Sequence, residues 1–383
     1  MKIECIKTYH LRCHLEQPFG FSQWFYNQRN VLVIEIITDN GTSGWGECYG
    51  PADVIQAAVE KFYAPRIIGQ DALSTDALWH FMWRASLDFA RAGVMTAAMS
   101  GIDMALWDLK GKALGQSVST LMGGKCRDKV PCYATGMYYI DLPEDKLLPH
   151  LLEEAQGYVD EGYQALKIKV GKNPDFDIAF IRALRKRFPN TILAADSNHA
   201  FDLSEAIKVG QVLDECNYAW FEEPLSPEHA AQFRQLSDKC LTPIATGECE
   251  QTRFGFQKLL SAGGVQLVQA DLGYCGGPSE ALKIRTLASS QGLNMIPHVW
   301  GTQFNLASAC HFLATAYHEP GRAEEKPLFL EYDRTENPLR DDIFLQKVVV
   351  ENGNANVPSG NGLGVEINLD AMKPYVFCET ETK

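Results

Sequence analysis

From Val130 onward one pattern repeats along the sequence: a short apolar, strand-like run, then a stretch with helical periodicity. The runs are VPCYATGMY, ALKIKV, TILAADS, NYAWFEEP, TPIATGE, VQLVQADL, LNMIPHVW and PLFLEYD, and helices are predicted from Glu144, Asp175, Leu203, Pro227, Arg253, Pro278 and Gln303 between them. Strands alternating with amphipathic helices predict a parallel sheet, because each helix carries the chain back to the end where the next strand begins. Eight strands joined by seven helices fit a closed (β/α)7β barrel of the TIM type better than an open, doubly wound sheet. The fold class is α/β. The repeat is one of topology, so a solenoid is not suggested.

The residues before the barrel read differently. MKIECIKTYHLRC, VLVIEIITD and TSGWGECYG carry strand-type alternation or β-branched content, with a DNG turn between the last two. Helical periodicity follows from Ala52 to about Leu121, clearest in MTAAMSGIDMALWDLKGKALG. This predicts an α+β module over residues 1–125, the barrel over 126–336, and a C-terminal segment, 337–383, that returns to the first module. Between the first two strands lies EQPFGFSQWFYNQRN, with Trp24, Phe25 and Tyr26 in succession and Gln23, Asn27 and Arg29 around them. Such a stretch reads either as a mobile lid facing a ligand or as aromatics that pack beneath a hairpin.

The polar residues of the barrel strands share one register. Lys169, Asp196, Glu222, Glu248, Asp271, His298 and Glu331 each end a strand, spaced 23 to 33 residues apart. In a barrel all of them converge on the C-terminal mouth, the rim where barrel chemistry is hosted. Asp196, Glu222 and Glu248 come from three consecutive strands, and three carboxylates in one small space resist joint ionisation unless a cation neutralises them. An oxygen-only ligand set points to a hard metal, Mg²⁺ first and Mn²⁺ second. Asp271 beside His298 suits a carboxylate that fixes an imidazole's tautomer for acid or base work. Alternation places Lys167 and Lys169 on one face of their strand. Lys169 as a base requires a lowered pKa, expected from Lys167 and the metal, while Lys167 is expected to stay charged and bind an anionic oxygen. Glu331 is a candidate for a substrate oxygen and Asn198 for the same space. His199 and Glu223 are read as pointing away from it.

Composition narrows the partners. A formal net charge of -13 argues against a nucleic-acid binder, since a phosphate backbone attracts basic surfaces. No apolar run approaches the ~18 residues of a membrane span, and MKIECIKTYHL lacks a leader-type apolar core. The 11 cysteines include no CxxC pair, which argues against a zinc knuckle or a disulfide framework. The expected setting is cytoplasmic, with a small-molecule carboxylate as partner, no nucleic acid, no membrane, and a homo-oligomeric assembly.

KIK at 167 to 169, AADSN around Asp196, WFEEP around Glu222, GE at 247 to 248, Asp271, PHVWGT around His298 and Glu331 together resemble the enolase superfamily, mandelate racemase subgroup. The resemblance spans essentially the whole chain, including SGIDMALWDLKGK. It implies Mg²⁺ on Asp196, Glu222 and Glu248, general bases in Lys169 and in the His298–Asp271 dyad, and a capping module whose first loops close over the barrel. It also implies contact of Lys167 and Glu331 with substrate carboxylate or enolate oxygens. The ending EYDRTENPLR with VPSGNGLGVEIN looks most like the acid-sugar branch, that is, acid-sugar dehydratases and galactarolactone (aldarolactone) cycloisomerases. Trp24 and Tyr26 of the lid are then expected to face substrate. Proton abstraction α to a carboxylate is the shared first step, with β-elimination ranked first and racemisation or epimerisation second. A Schiff-base aldolase using Lys169 and a non-catalytic sugar-acid binder stay open.

Overall fold

The computed structural model describes residues 1–319 and 327–383. Three antiparallel strands begin the chain: β1 (Ile3–Gly20), β2 (Phe25–Thr38) and β3 (Ser43–Cys48). Leu32, Ile34 and Ile36 alternate on β2, and a register shift between Ile3 and Cys5 brings Ile3 and Ile6 of β1 to one face. These residues are buried against helices at 52–57, 75–86 and 94–114, and together they form the core of the first module. Helix Val94–Leu114 lies so close to β3 that a Cβ on Gly44 would sit 2.2 Å from the Ala105 carbonyl oxygen. Only glycine permits that approach. The helix is buried along most of its circumference because the sheet covers one side and the barrel the other. It ends at Gly115, whose left-handed φ of 65° lets its amide return to the carbonyls of Gly111 and Lys112.

The barrel strands follow as β4 (Lys129–Thr135), β5 (Ala165–Lys169), β6 (Ile192–Asp196), β7 (Trp220–Glu222), β8 (Ile244–Thr246), β9 (Leu267–Val268), β10 (Asn294–Met295) and β11 (Leu330–Asp333). Neighbours from β4 to β10 pair in parallel in sequence order, and β11 returns to pair in parallel with β4. The predicted α/β barrel of the TIM type, with an α+β cap, is the observed fold. Just past β10, Val299 N–H donates to Glu331 Oε2 of β11 at 3.0 Å. Short strands suffice because one apolar face of each packs under the outer helices, with Leu166, Ile168, Leu193, Ala195 and Phe221 fully or almost fully buried. The C-terminal strand Val376–Thr382 pairs antiparallel with β1, completing the sheet of the first module.

One local difference from the sequence reading matters for the site. The lid expected as a loop is a continuation of β1 and β2, a hairpin with a break in register between His14 and Phe19. Its base is stitched to the barrel through Gly20 and Tyr139, which exchange backbone bonds of 2.7 and 2.8 Å. Its tip reaches farther: Ser22 Oγ donates to Ser197 O at 2.9 Å and Gln23 Nε2 to Asn198 O at 2.6 Å. All 11 cysteines are free. No described helix is long and apolar enough to cross a membrane.

Candidate active site

Lys169 on β5 stands in register with Asp196 on β6, and Asp196 with Glu222 on β7, so pairing alone brings three charged side chains side by side. Glu248 follows β8 after Gly247, Asp271 and His298 lie just beyond β9 and β10, and Glu331 is on β11. All seven reach the C-terminal mouth, and none is more than 7% exposed. Carboxylate oxygens of Asp196, Glu222 and Glu248 lie within 4.8 Å of one another. Glu222 is fixed by its neighbours, with Oε1 accepting from Lys167 at 2.5 Å and Oε2 from Trp220 and Gln269 at 2.9 and 2.8 Å.

Crowding shows in the proton affinities. Burial, reinforced by the surrounding carboxylates and only partly offset by Lys167, pushes Glu222 up to about 7. Burial also opposes ionisation of Asp196, but Lys169 and Lys167 overcome it and hold that carboxyl down at about 2. A buried set of oxygen donors, one of them with its charge poorly compensated, could hold a hard divalent cation.

Lys169 Nζ donates to Asp196 Oδ2 at 2.5 Å and to Asn198 Oδ1 at 2.8 Å. Burial favours its neutral form, yet Asp196 wins and the lysine sits above its ordinary value. Lys167 does act to lower it, as expected, but on its own, apart from the metal that the expectation also invoked, it is outweighed by Asp196. Lys167 lies deeper, 1% exposed, bonded to Glu222 at 2.5 Å and to Glu331 at 2.7 Å. It buttresses the floor, beneath the groups that line the cavity above, beside Asp196 and Glu222, which are likewise outside that lining. Glu331 also accepts from Thr135 Oγ1 at 2.6 Å. Against burial, Lys167 and His298 keep it ionised, down at about 2, so it can accept but not donate a hydrogen bond.

His298 Nδ1 donates to Asp271 Oδ2 at 2.7 Å, and Nε2 faces Glu248 Oε2 at 3.4 Å. Asp271 is itself held by Gly273 N–H at 2.6 Å and Asn305 Nδ2 at 3.0 Å. The dyad is thus fixed from behind, which points Nε2 into the cavity. Burial disfavours the imidazolium, but Glu248 and Asp271 outweigh it and raise His298 to about 10.

The cavity over these groups is walled by aromatics. Phe21, Trp24 and Tyr26 come from the lid, Tyr49 from the turn after β3, Tyr138 from the segment after β4 and Trp300 from the segment after His298. Tyr26 and Trp300 are 5.8 Å apart and Tyr49 is 5.5 Å from His298. Trp24, Tyr26, Asn198, Lys169, His298 and Glu331 line this space as the sequence suggested, and Asp271 stands behind. Arg29 does not line it: its guanidinium is bonded to Asp333 at 2.7 Å and to Thr335, and stacks 4.1 Å over Trp300. Asn27 is outside the lining as well.

Sequence reasoning missed His199 and Cys249, which do line the cavity, and Glu223, which bonds His199. Alternation fails there because Asn198, His199 and Glu223 adopt positive φ of 44°, 66° and 44°, leaving the strand geometry on which the outward reading rested. Tyr49 carries no signal of its own, since only the docking of the cap brings it to the mouth. Trp300 was missed too, although it stands two residues past His298 in the run LNMIPHVW, where alternation puts both on one face.

The comparisons agree with this architecture. Residues 5–123 match the description "Mandelate racemase / muconate lactonizing enzyme, N-terminal domain", and residues 150–371 match "Enolase C-terminal domain-like". The chain is 39% identical over 376 residues to the D-galactarolactone cycloisomerase of Agrobacterium fabrum (strain C58 / ATCC 33970), covering 98% of this chain and 99% of that one. It is 33% identical over 349 residues to an arabinonate dehydratase of Saccharolobus solfataricus, covering 90% of each. The crystal structure of the 3,6-anhydro-D-galactonate cycloisomerase from Zobellia galactanivorans superposes with a TM-score of 0.89 at 38% identity, over 99% of this chain and 100% of that one. With a matching cap, a matching barrel and full-length relatives above 30% identity, this chain belongs to the mandelate racemase and muconate lactonizing enzyme family of the enolase superfamily, and is an enzyme of the lyase and isomerase kind.

Proposed function

We propose that the enzyme abstracts the proton α to the carboxylate of an acid sugar or its lactone and then expels the β-oxygen substituent. The observation that carries this reading is that Lys169 and His298 line one cavity together with Glu248 of the carboxylate triad and the aromatics of the lid. A divalent ion on Asp196, Glu222 and Glu248, Mg²⁺ first and Mn²⁺ second, would supply Lewis-acid stabilisation of the charge that builds on the substrate carboxylate.

The residues of the chain divide the remaining work. Lys169 is positioned to take the α-proton on one side in its neutral amine form, which a cation on Asp196 would favour by drawing off the carboxylate charge that now holds the lysine protonated, and Asn198 holds its Nζ in place. His298, braced by Asp271, presents a proton at Nε2 to the departing β-oxygen. As the α C–H bond breaks, its electrons form the new C=C bond and the β C–O bond breaks. A departing hydroxyl leaves as water once protonated, giving an enol that tautomerises to a 2-keto-3-deoxy acid. A departing lactone carboxylate needs no proton, and the ring opens with no loss of water. Lys167, by holding Glu222 and Glu331, fixes the floor on which these groups stand.

Charge and shape support a compact monocarboxylate. The cations lining the cavity are Lys169 and the two imidazoles, His199 and His298, while Arg29 is committed to Asp333, so no spare guanidinium awaits a second carboxylate. The aromatic walls suit the apolar face of a ring, a lactone or anhydro sugar, better than an extended polyol. The printed names of the relatives, cycloisomerases and a dehydratase of acid sugars, support the same class. One observation favours a second reading: two proton-transfer groups border one cavity, as racemisation or epimerisation requires.

The test is a panel of aldonic acids, aldaric acids and their lactones offered to enzyme stripped by chelator and then reloaded with Mg²⁺. Keto-acid formation is scored separately from loss of optical rotation. Turnover should vanish on stripping and return on reloading, with keto acid or ring-opened product formed. Full activity in metal-free enzyme, or racemised substrate alone, would overturn the proposal.

A further inference from the structure

Just outside the carboxylate triad the chain assembles a second constellation. His199 lies three residues beyond Asp196, Glu223 follows Glu222, and Cys249 follows Glu248. Their ligand atoms all lie within 4.8 Å of one another. His199 Nε2 is 3.0 Å from Glu223 Oε2 and 3.4 Å from Cys249 Sγ. Tetrahedral zinc, with Zn–N of ~2.0–2.1 Å and Zn–S of ~2.3 Å, sets its ligands about 3.3 to 3.6 Å apart, close to the separations found here.

Two further observations point to a ligand. His199 Nδ1 is 3.2 Å from Leu225 O and donates to it, while Nε2 faces the Glu223 carboxylate and the Cys249 sulfur, where a bound cation would take the place of the Nε2 proton. A ring N–H given to a backbone carbonyl is the arrangement that prepares the other nitrogen to bind a metal. Glu223 is 1% exposed, and although its Oε2 meets His199 and, at 3.5 Å, Asn198 Nδ2, its Oε1 has no hydrogen-bond partner among the described residues. A buried carboxylate oxygen left bare is costly, and a bound cation would relieve it.

We propose that His199, Glu223 and Cys249 form a second metal site, selective for Zn²⁺ or a similar borderline ion, at the wall of the cavity. Imidazole and thiolate are poor partners for Mg²⁺ and good ones for zinc, so the donor sets of the two sites separate the two metals. One carboxylate and one thiolate cancel the charge of a divalent ion, so its presence adds little repulsion against a cation on the neighbouring triad. Binding itself displaces two protons, that of the thiol and that of His199 Nε2. Because His199 and Cys249 border the cavity, the fourth coordination position opens toward whatever occupies it.

Cobalt titration of the whole enzyme in excess Mg²⁺ tests this assignment. Co²⁺ on the proposed site gives a thiolate-to-cobalt absorption band in the near ultraviolet, which an all-oxygen site cannot give. We expect the band to saturate at one equivalent, to disappear on adding Zn²⁺, to be lost in Cys249→Ser and to need at least tenfold more cobalt in His199→Ala. Near-ultraviolet circular dichroism of each variant verifies that it is folded. No band in the parent enzyme, or a band that survives Cys249→Ser, would overturn the site and leave His199 and Glu223 as an ordinary ion pair. The readout does not depend on turnover, so it stands or falls apart from the proposed reaction.

Discussion

Lys167 and Lys169 stand two residues apart on one strand and meet different fates. The deeper ammonium is shared by Glu222 and Glu331 and is sealed from the cavity, while the shallower one reaches Asp196, Asn198 and the open space. Replacing Lys169 or His298 by alanine is expected to lower turnover by ~10²–10⁴-fold, the usual contribution of a positioned acid or base. Each change should also slow exchange of the α-hydrogen with deuterated water for at least one substrate configuration, followed by proton NMR. Undiminished exchange in both variants would remove them from the chemistry. Asp271→Asn keeps the shape of the dyad but offers an amide in place of an acceptor, which reverses the tautomer at His298. The kcat is expected to fall by ~10²-fold or more with KM little changed, as when a triad aspartate is amidated.

At the scale of elements, the order of strands and helices and the ends of the strands were legible because two periodicities, 2 and 3.6, alternate cleanly after Val130. The lid was not. Pro18 and Gly20 read as breakers, yet pairing with the Tyr139 segment carries β1 through them. Alternation was likewise carried too far at His199 and Glu223, where the backbone turns left-handed and the wall of the cavity begins. Helix Gln303–Ala314, buried on all sides, carries its own titration signature. Burial pushes its His311 down to about 4 while Nε2 donates to Leu363 O at 3.1 Å. Unfolded, this imidazole takes a proton near its ordinary pKa of ~6.5, and folded it does not, so it contributes a loss of stability as pH falls from about 6.5 to about 4. Urea unfolding at several pH values in that window should show a shallower decline for His311→Gln than for the parent. Equal slopes would show that this histidine is not the source.

The whole molecule is held together by buried polar seams between cap and barrel. Trp79 Nε1 donates to Gly276 O at 2.7 Å, Asp103 accepts from the amide and hydroxyl of Ser279 at 2.7 Å each, and Glu47 accepts from the amide and hydroxyl of Thr302. Seams of this kind predict one unfolding transition for both modules, with tryptophan fluorescence and far-ultraviolet dichroism giving the same midpoint. Asp103→Ala strands two donors of Ser279 and is expected to cost about 1–3 kcal/mol, read from the shift of that midpoint. The tip of the lid adds a contact of another kind. Ser22 and Gln23 grip the peptide oxygens of Ser197 and Asn198, the two residues directly after Asp196. Whatever lifts the hairpin therefore lets go of the segment that carries one corner of the carboxylate triad and the amide steadying Lys169. Admission of a ligand and readiness of the machinery are thereby tied to one event, and an enzyme caught with its door ajar is also one with its tools unset.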